Sequence, residues 1–289
     1  MCHDIEDPTF DATAAATHPC MKMRPIHRPP RVPATRYPHC HWKVYIDDEG
    51  TPYEQHPNLA RMQQTLLAGI AIELPDDDRE PGGWADYSGD FDPGFQLEDL
   101  GHRALLIVCQ EAAVQAHLLA RSLLMNVDER HGEDAARELA RAQWVGAASV
   151  ASYRLKRALG LGDAIDDIAT IFQLHPHFHP RTYVDLRLDL TSDGVLRVEI
   201  GDCPALEEAD HHSWFGGLSG DPHPALEAIA TMVNPKARCR SAEPGDARMA
   251  WEVFIDPSAE AKHEPPEMRL ARYSKGVDFE LIQRRPLRA

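Results

Sequence analysis

Residues 183–204 read YVDLRLDLTSDGVLRVEIGDCP, and the reading of this stretch decides the fold class. Leu186, Leu188 and Leu190 alternate with Asp185, Arg187 and Asp189, which gives an extended segment one apolar face and one wet face. Thr191-Ser192-Asp193-Gly194 is turn chemistry, after which Val195, Leu196, Val198 and Ile200 resume the strand pattern. The spacing predicts an antiparallel hairpin that delivers Gly201-Asp202-Cys203-Pro204 at its exit. A local hairpin following helical segments is the signature of an α+β chain rather than of repeated crossover units.

Working backwards, residues 96–125 carry apolar side chains at helical spacing, among them Leu100, Ile107, Val108, Val114, Leu118 and Leu119. A second long helix is expected over 133–159. Glu133 and Asp134 open it, Lys156 and Arg157 close it, and Gly160 follows, in accord with the helix dipole and with the glycine preference just past a C-terminus. Ala136, Ala140, Ala147, Ala148 and Ala151 permit close approach to the preceding helix. Asp163 is placed to cap a short helix with Ile165, Ile168, Ile171 and Phe172, and another short helix follows Pro224. A last strand is expected over 249–255. The architecture expected is α+β: two long antiparallel helices packed on a small antiparallel sheet, with extended Pro-rich N- and C-terminal arms.

The division expected is an extended Pro/His-rich arm over 1–58, an α+β domain over 59–256 and a tail over 257–289. Nine prolines before residue 58 argue against a long helix there. A helix is predicted over Leu59–Leu74, stopped by Pro75. Asp76–Gly94 is acidic and rich in breakers, with Trp84, Tyr87 and Phe91 as residues that would pack it down.

With 289 residues, 43% of them hydrophobic, the chain can bury a substantial core. Thirty Lys and Arg face 46 Asp and Glu, a net charge of -16, which argues against nucleic acid and anionic lipid as partners. No apolar run approaches the roughly 20 residues that span a bilayer, and no leader pattern opens the chain. The expected location is therefore cytoplasmic, with the six dispersed cysteines as free thiols.

Candidate chemistry gathers in 195–239. Cys203 is a possible nucleophile, with His211 or His212 as its base, although Asp202 beside it would raise its pKa. Alternatively, Cys203, Cys239 and a histidine would hold zinc with one position open. A third reading makes both cysteines small buried hydrophobes. Glu111, Trp214 and Cys239 are candidate substrate contacts. His175, His177 and His179 would share one side of an extended segment and suit a metal, but Pro176 and Pro180 argue for a turn. His39-Cys40-His41 offers three donors without the second ligand pair that a closed zinc site needs.

Gly132-Glu133-Asp134-Ala135-Ala136 opens the second long helix, which ends in Arg154-Leu155-Lys156-Arg157-Ala158-Leu159-Gly160-Leu161. Cys203-Pro204 follows the hairpin, Asn234-Pro235 and Cys239 follow the next helix, and Trp251-Glu252-Val253-Phe254 closes the pattern. Over about residues 125–255 this order resembles the L-2-amino-thiazoline-4-carboxylic acid hydrolase-like family of bacterial proteins. The resemblance implies a compact α+β domain and hydrolysis of a cyclic amidine-like C–N or C–S bond in a small molecule. A different class also fits: a non-catalytic small-molecule-binding or accessory subunit whose terminal arms build a homo-oligomer or hetero-oligomer. The sequence names no cofactor, and zinc is the one candidate.

Overall fold

A computed structural model of the chain describes residues 6–38, 40–47, 50, 57–73, 82–85, 92 and 94–271. In chain order the elements are α1 (Asp7–Thr17), β1 (Met21–His27), β2 (His41–Ile46), α2 (Pro57–Gln63), α3 (His102–His131), α4 (Glu133–Leu159) and α5 (Ile165–Leu174). They continue with β3 (Leu186–Leu190), β4 (Leu196–Ile200), α6 (Pro204–Glu207), α7 (Pro224–Thr231), β5 (Ala237–Ser241), β6 (Met249–Ile255) and α8 (Met268–Ala271). The chain is α+β, with two small antiparallel sheets: the pair β1-β2 and a four-stranded sheet in the order β3-β4-β6-β5.

Strand alternation sets the sheet. In β4, Leu196, Val198 and Ile200 are buried between partially exposed Arg197 and Glu199, and the strand pairs with β3 (Leu186↔Ile200) and with β6 (Leu196↔Val253). At the edge, β3 buries Leu186 but leaves Leu190 at the surface. α5 packs against β3 and α7 against β5, and both also contact α4. The long helices therefore meet the sheet through these two shorter ones. Trp144 of α4, Phe172 of α5 and Trp251 of β6 are fully buried in one continuous apolar core.

α3 and α4 run into each other through one residue, Gly132, whose φ of +86° only glycine adopts readily. Gly160, with φ +62°, ends α4 and donates its N–H back to Arg157.

The N-terminal arm departs from expectation. Residues 7–17 form α1, because Pro8 falls in the first turn, where its missing N–H costs nothing, and an alanine-rich run follows. α1 buries Thr9 and Ala12–Ala15, and Ser122 of α3 donates its hydroxyl to the Thr9 carbonyl at 3.1 Å. Pro25 is accommodated where the β1-β2 register shifts. The helix predicted over 59–74 ends at Gln63, because the Glu208 carboxylate captures the N–H groups of Leu66 and Leu67, at 2.7 and 3.3 Å, that would have continued it. A 3-10 turn, Leu67–Gly69, follows.

α3 passes the expected boundary at residue 125 and reaches His131, and β5 forms where no strand was foreseen. Trp84 stacks on Phe95, with ring centroids 5.6 Å apart, whereas Tyr87, Phe91, Pro75 and His39 lie outside the described residues. The tail is not wholly extended: α8 packs on α4 and buries Met268, and residues 272–289 lie outside the described part. No described helix is long and apolar enough to cross a membrane.

Removing the central ring tests this packing. Trp144→Ala should lower the unfolding free energy by about 3–5 kcal/mol in denaturant titrations. Leu190→Ala, at a position 36% exposed, should cost less than about 1 kcal/mol.

Candidate functional site

The C-terminal third of α3 and the loop after α6 build one constellation. The loop can fold tightly because residue 216 is glycine: a Cβ there would lie 1.9 Å from the Asp210 carbonyl oxygen. Ser213 caps the 3-10 turn Trp214–Gly217 by accepting from Phe215 N–H at 3.2 Å, and His223 Nδ1 caps α7 by accepting from Ala225 N–H at 3.1 Å. These two caps hold the ends of the loop while its front faces α4.

His211 and His212 both turn toward one carboxylate. His211 Nε2 lies 3.0 Å and His212 Nε2 2.9 Å from the same oxygen, Asp128 Oδ2. The two imidazole centroids are 3.9 Å apart. The second nitrogen of each ring also faces an acid: His211 Nδ1 lies 3.9 Å from Glu133, and His212 Nδ1 lies 3.6 Å from Asp210. Hydrogen bonds from the two imidazoles hold the Asp128 carboxyl below the usual carboxylate range.

Behind the pair lies Arg121, buried on α3. Its guanidinium donates to both Asp210 carboxylate oxygens, at 3.1 and 3.0 Å, and to the Glu208 carbonyl at 2.7 Å. Tyr183 donates its hydroxyl to Glu208 Oε1 at 2.8 Å, and burial pushes that phenol well above its ordinary pKa, so it remains a donor. Burial of Asp210 opposes its ionisation, but the His212 hydrogen bond and the Arg121 charge overcome it and hold Asp210 ionised.

Beside the pair opens a cleft of about 340 Å³ between α4 and the loop. Arg137 and Arg141 line one wall; His211, Ser213, Trp214 and His223 line the other. Arg137 pairs with Glu133 and Arg141 with Glu267, while burial, aided by the Arg141 charge, lowers His223 to about 4. The volume is at the lower end of the range for small-molecule sites. Trp214 fixes its ring by donating Nε1–H to Gln143 at 2.9 Å.

The other candidates are dispersed. His175 and His177 are buried in the aromatic core, with His177 4.3 Å from Trp214 by ring centroids, and His179 Nε2 is 3.1 Å from the Gln173 carbonyl. Pro176–Phe178 is a 3-10 turn, in which alternate residues do not share a side, and the three rings form no ligand cluster. Among the described residues, Asp128, His211 and His212 are the one set of three donors lying within 4.8 Å of one another.

Cys203 and Cys239 do not meet. Cys239 is aligned with Val253 and thence with Leu196, whereas Cys203 leaves the sheet beyond Ile200. From Leu196 to Ile200 alone is about 13 Å along β4, and Cys239 stands two strand spacings away across the sheet. Both cysteines pack against the apolar core, and burial pushes the Cys239 thiol up to about 12. Glu111 lies exposed on α3 and is not among the cleft-lining residues, whereas Trp214 lines the cleft.

Sequence reasoning missed Asp128, Asp210, Glu208 and Arg121. No local signal marked Asp128, because the apolar pattern of the helix stops at 125; only with α3 running on to His131 does this acid stand in a last turn, where the dipole disfavours it. Such a placement needs compensation, and the two imidazoles supply it.

Two measurements examine this network. Arg121→Met leaves Glu208 and Asp210 without their cation and should cost at least about 2 kcal/mol, below the 3–5 typical of a fully buried pair because Asp210 is 45% exposed. Burial lowers His117 and His175 to about 4 and His177 well below its ordinary value. The unfolded chain then binds protons that the folded chain refuses, so stability should fall as pH drops from about 6.5 toward 4. Thermal melts at pH 7.5 and 5 should differ, and the gap should narrow in His175→Gln; equal melting temperatures would contradict neutral buried rings. No protein-family model, curated protein or solved structure matches this chain.

Proposed function

We propose that the chain is a hydrolase acting on a small molecule held in the cleft between α4 and the 210–224 loop, with Asp128, His211 and His212 as its working centre. The observation that carries this reading is the convergence of two imidazoles on a single carboxylate oxygen at the rim of a cleft of about 340 Å³. In such a centre His211, with Nε2–H turned to Asp128, takes a proton from water at Nδ1 and directs the resulting hydroxide at an electrophilic carbon. A C–N or C–S bond to that carbon then breaks, and the proton returns to the departing nitrogen or sulfur. Asp128 remains a carboxylate throughout.

The cleft supports a substrate class. Arg141, with Arg137 one turn before it, faces a pocket that also holds the Trp214 ring, a combination suited to a small cyclic molecule carrying a carboxylate. The resemblance to thiazoline-carboxylate hydrolase-like proteins supports the same class, as a cyclic amidine or amide. Cys203 takes no part in this reading, since Asp128 is the group that both histidines contact. The dispersed free thiols fit a reducing, cytoplasmic setting. Self-association is supported by the exposed Ile26, Val44 and Ile46 of the β1-β2 hairpin. Ile46→Asp should convert a dimer to a monomer on sizing, and a monomeric wild type would remove that point.

A panel of cyclic amidines and small amides bearing a carboxylate tests the activity. Asp128→Asn and His211→Ala should each lower kcat/KM about 100-fold or more, with Cys203→Ser within about threefold of wild type. Loss in Cys203→Ser with retention in His211→Ala would overturn the assignment. Panel members that bind without turnover, followed by ligand-detected NMR, would instead favour the non-catalytic binding subunit.

A further inference from the structure

We propose that Asp128, His211 and His212 bind one divalent transition-metal ion, with a remaining coordination position open to the cleft. The inference rests on reading this cluster as a hydrolytic centre and names the device that activates its water.

Donor type, geometry and support all agree. Two imidazole nitrogens and one carboxylate oxygen form a set that favours zinc and its first-row neighbours over calcium or magnesium, which prefer all-oxygen shells. The three donor atoms lie within 4.8 Å of one another, and both nitrogens approach Asp128 Oδ2 to about hydrogen-bond distance, 3.0 and 2.9 Å. Ligands about 2.0–2.1 Å from a tetrahedral ion stand roughly 3.3 Å apart. The two imidazole–carboxylate pairs thus need to open by only a few tenths of an ångström, and the two imidazole nitrogens already lie within 4.8 Å of each other. An ion would displace the Nε2 protons, turning each Nδ1 into a donor.

Each Nδ1 has an acid close by though not yet in hydrogen-bond contact, Glu133 at 3.9 Å from His211 and Asp210 at 3.6 Å from His212, so a small ring movement would close either pair. A carboxylate behind a coordinating imidazole fixes the ring and raises its basicity. Asp210 is itself fixed by Arg121 and by the His212 backbone N–H at 2.9 Å, so this outer layer is held in place by the fold. Exposure is graded in the sense a catalytic metal requires. The His212 side chain is 4% exposed, those of His211 and Asp128 are 22% and 25%, and His211 lines the cleft. Three protein ligands with an open position are the arrangement in which zinc lowers the pKa of bound water.

The full-length chain, stripped with a chelator, is titrated with Zn²⁺ by calorimetry and with Co²⁺ by visible absorption. One equivalent of each should bind, with Co²⁺ giving the d–d bands of a low-coordinate site. His211→Ala and Asp128→Ala should weaken binding about 100-fold or more, and Asp210→Asn about 10–100-fold. Circular dichroism checks each variant. If Asp128→Ala fails to fold, His211→Gln, in a partly exposed loop, carries the comparison. Absence of stoichiometric binding to the wild type, or unchanged affinity in His211→Ala or His211→Gln, overturns the metal site. A stripped chain that turns over the amidine and amide panel at the full rate overturns the metal as the device that activates water but leaves the hydrolase standing. Stoichiometric binding lost in the histidine variants, without turnover of any panel member, supports the metal and overturns the hydrolase.

Discussion

The guanidinium of Arg121 is the interaction on which the rest of this structure depends. A charge held at 3% residue exposure is costly to desolvate, and it persists because Asp210, Glu208 and the Glu208 carbonyl surround it. Those partners come from the loop after α6, while Arg121 comes from the middle of α3. The ion pair therefore decides where the loop sits against the helix. Glu208 extends the network to Tyr183 and to the turn at Leu66 and Leu67, so four chain segments meet around one cation.

Histidines fall into two populations around that hub. His117, His175 and His177 are packed among Tyr183, Trp214, Phe215 and Phe178, and burial keeps them neutral at ordinary pH. They behave as core aromatics. His211 and His212 instead meet one carboxylate through Nε2 and have a second acid within 4 Å of Nδ1. Trp214 lies between the populations, in contact with the His117 and His177 rings and lining the cleft. The same short loop thus carries a core element and a chemical one.

Much of the fold was legible because its signals were local. The limits of α4 followed from Glu133, Lys156, Arg157 and Gly160, and the β3-β4 hairpin from leucine alternation around Asp193-Gly194. The failures came from contacts distant in sequence. Nothing near Leu66 announces that a carboxylate 142 residues away takes its N–H and ends the helix. Pro8 was counted against helix, although its position in a first turn made it compatible with one. The site was half legible. His211 and His212 were visible as a pair, but Asp128 lay in a run read as a break between helices, and the cysteines drew attention because they stand at element ends. The adjacent histidines find their partner only once α3 runs on to His131.

The single-residue link at Gly132 joins two rigid helices and also separates Asp128 from Glu133, the acids on either side of His211. A chain that passes from one long helix into another through one left-handed glycine has no slack to absorb an extra residue. One amino acid added within the first turn of α4 and wound into the helix would turn the side chains that follow by about 100° relative to α3. The Arg137–Arg141 wall would swing away, while Asp128 and the paired imidazoles stayed behind. The spacing between these acids is therefore a length-locked ruler: side chains can be exchanged along either helix without moving the corner, whereas a change of chain length there shifts one cleft wall against the other.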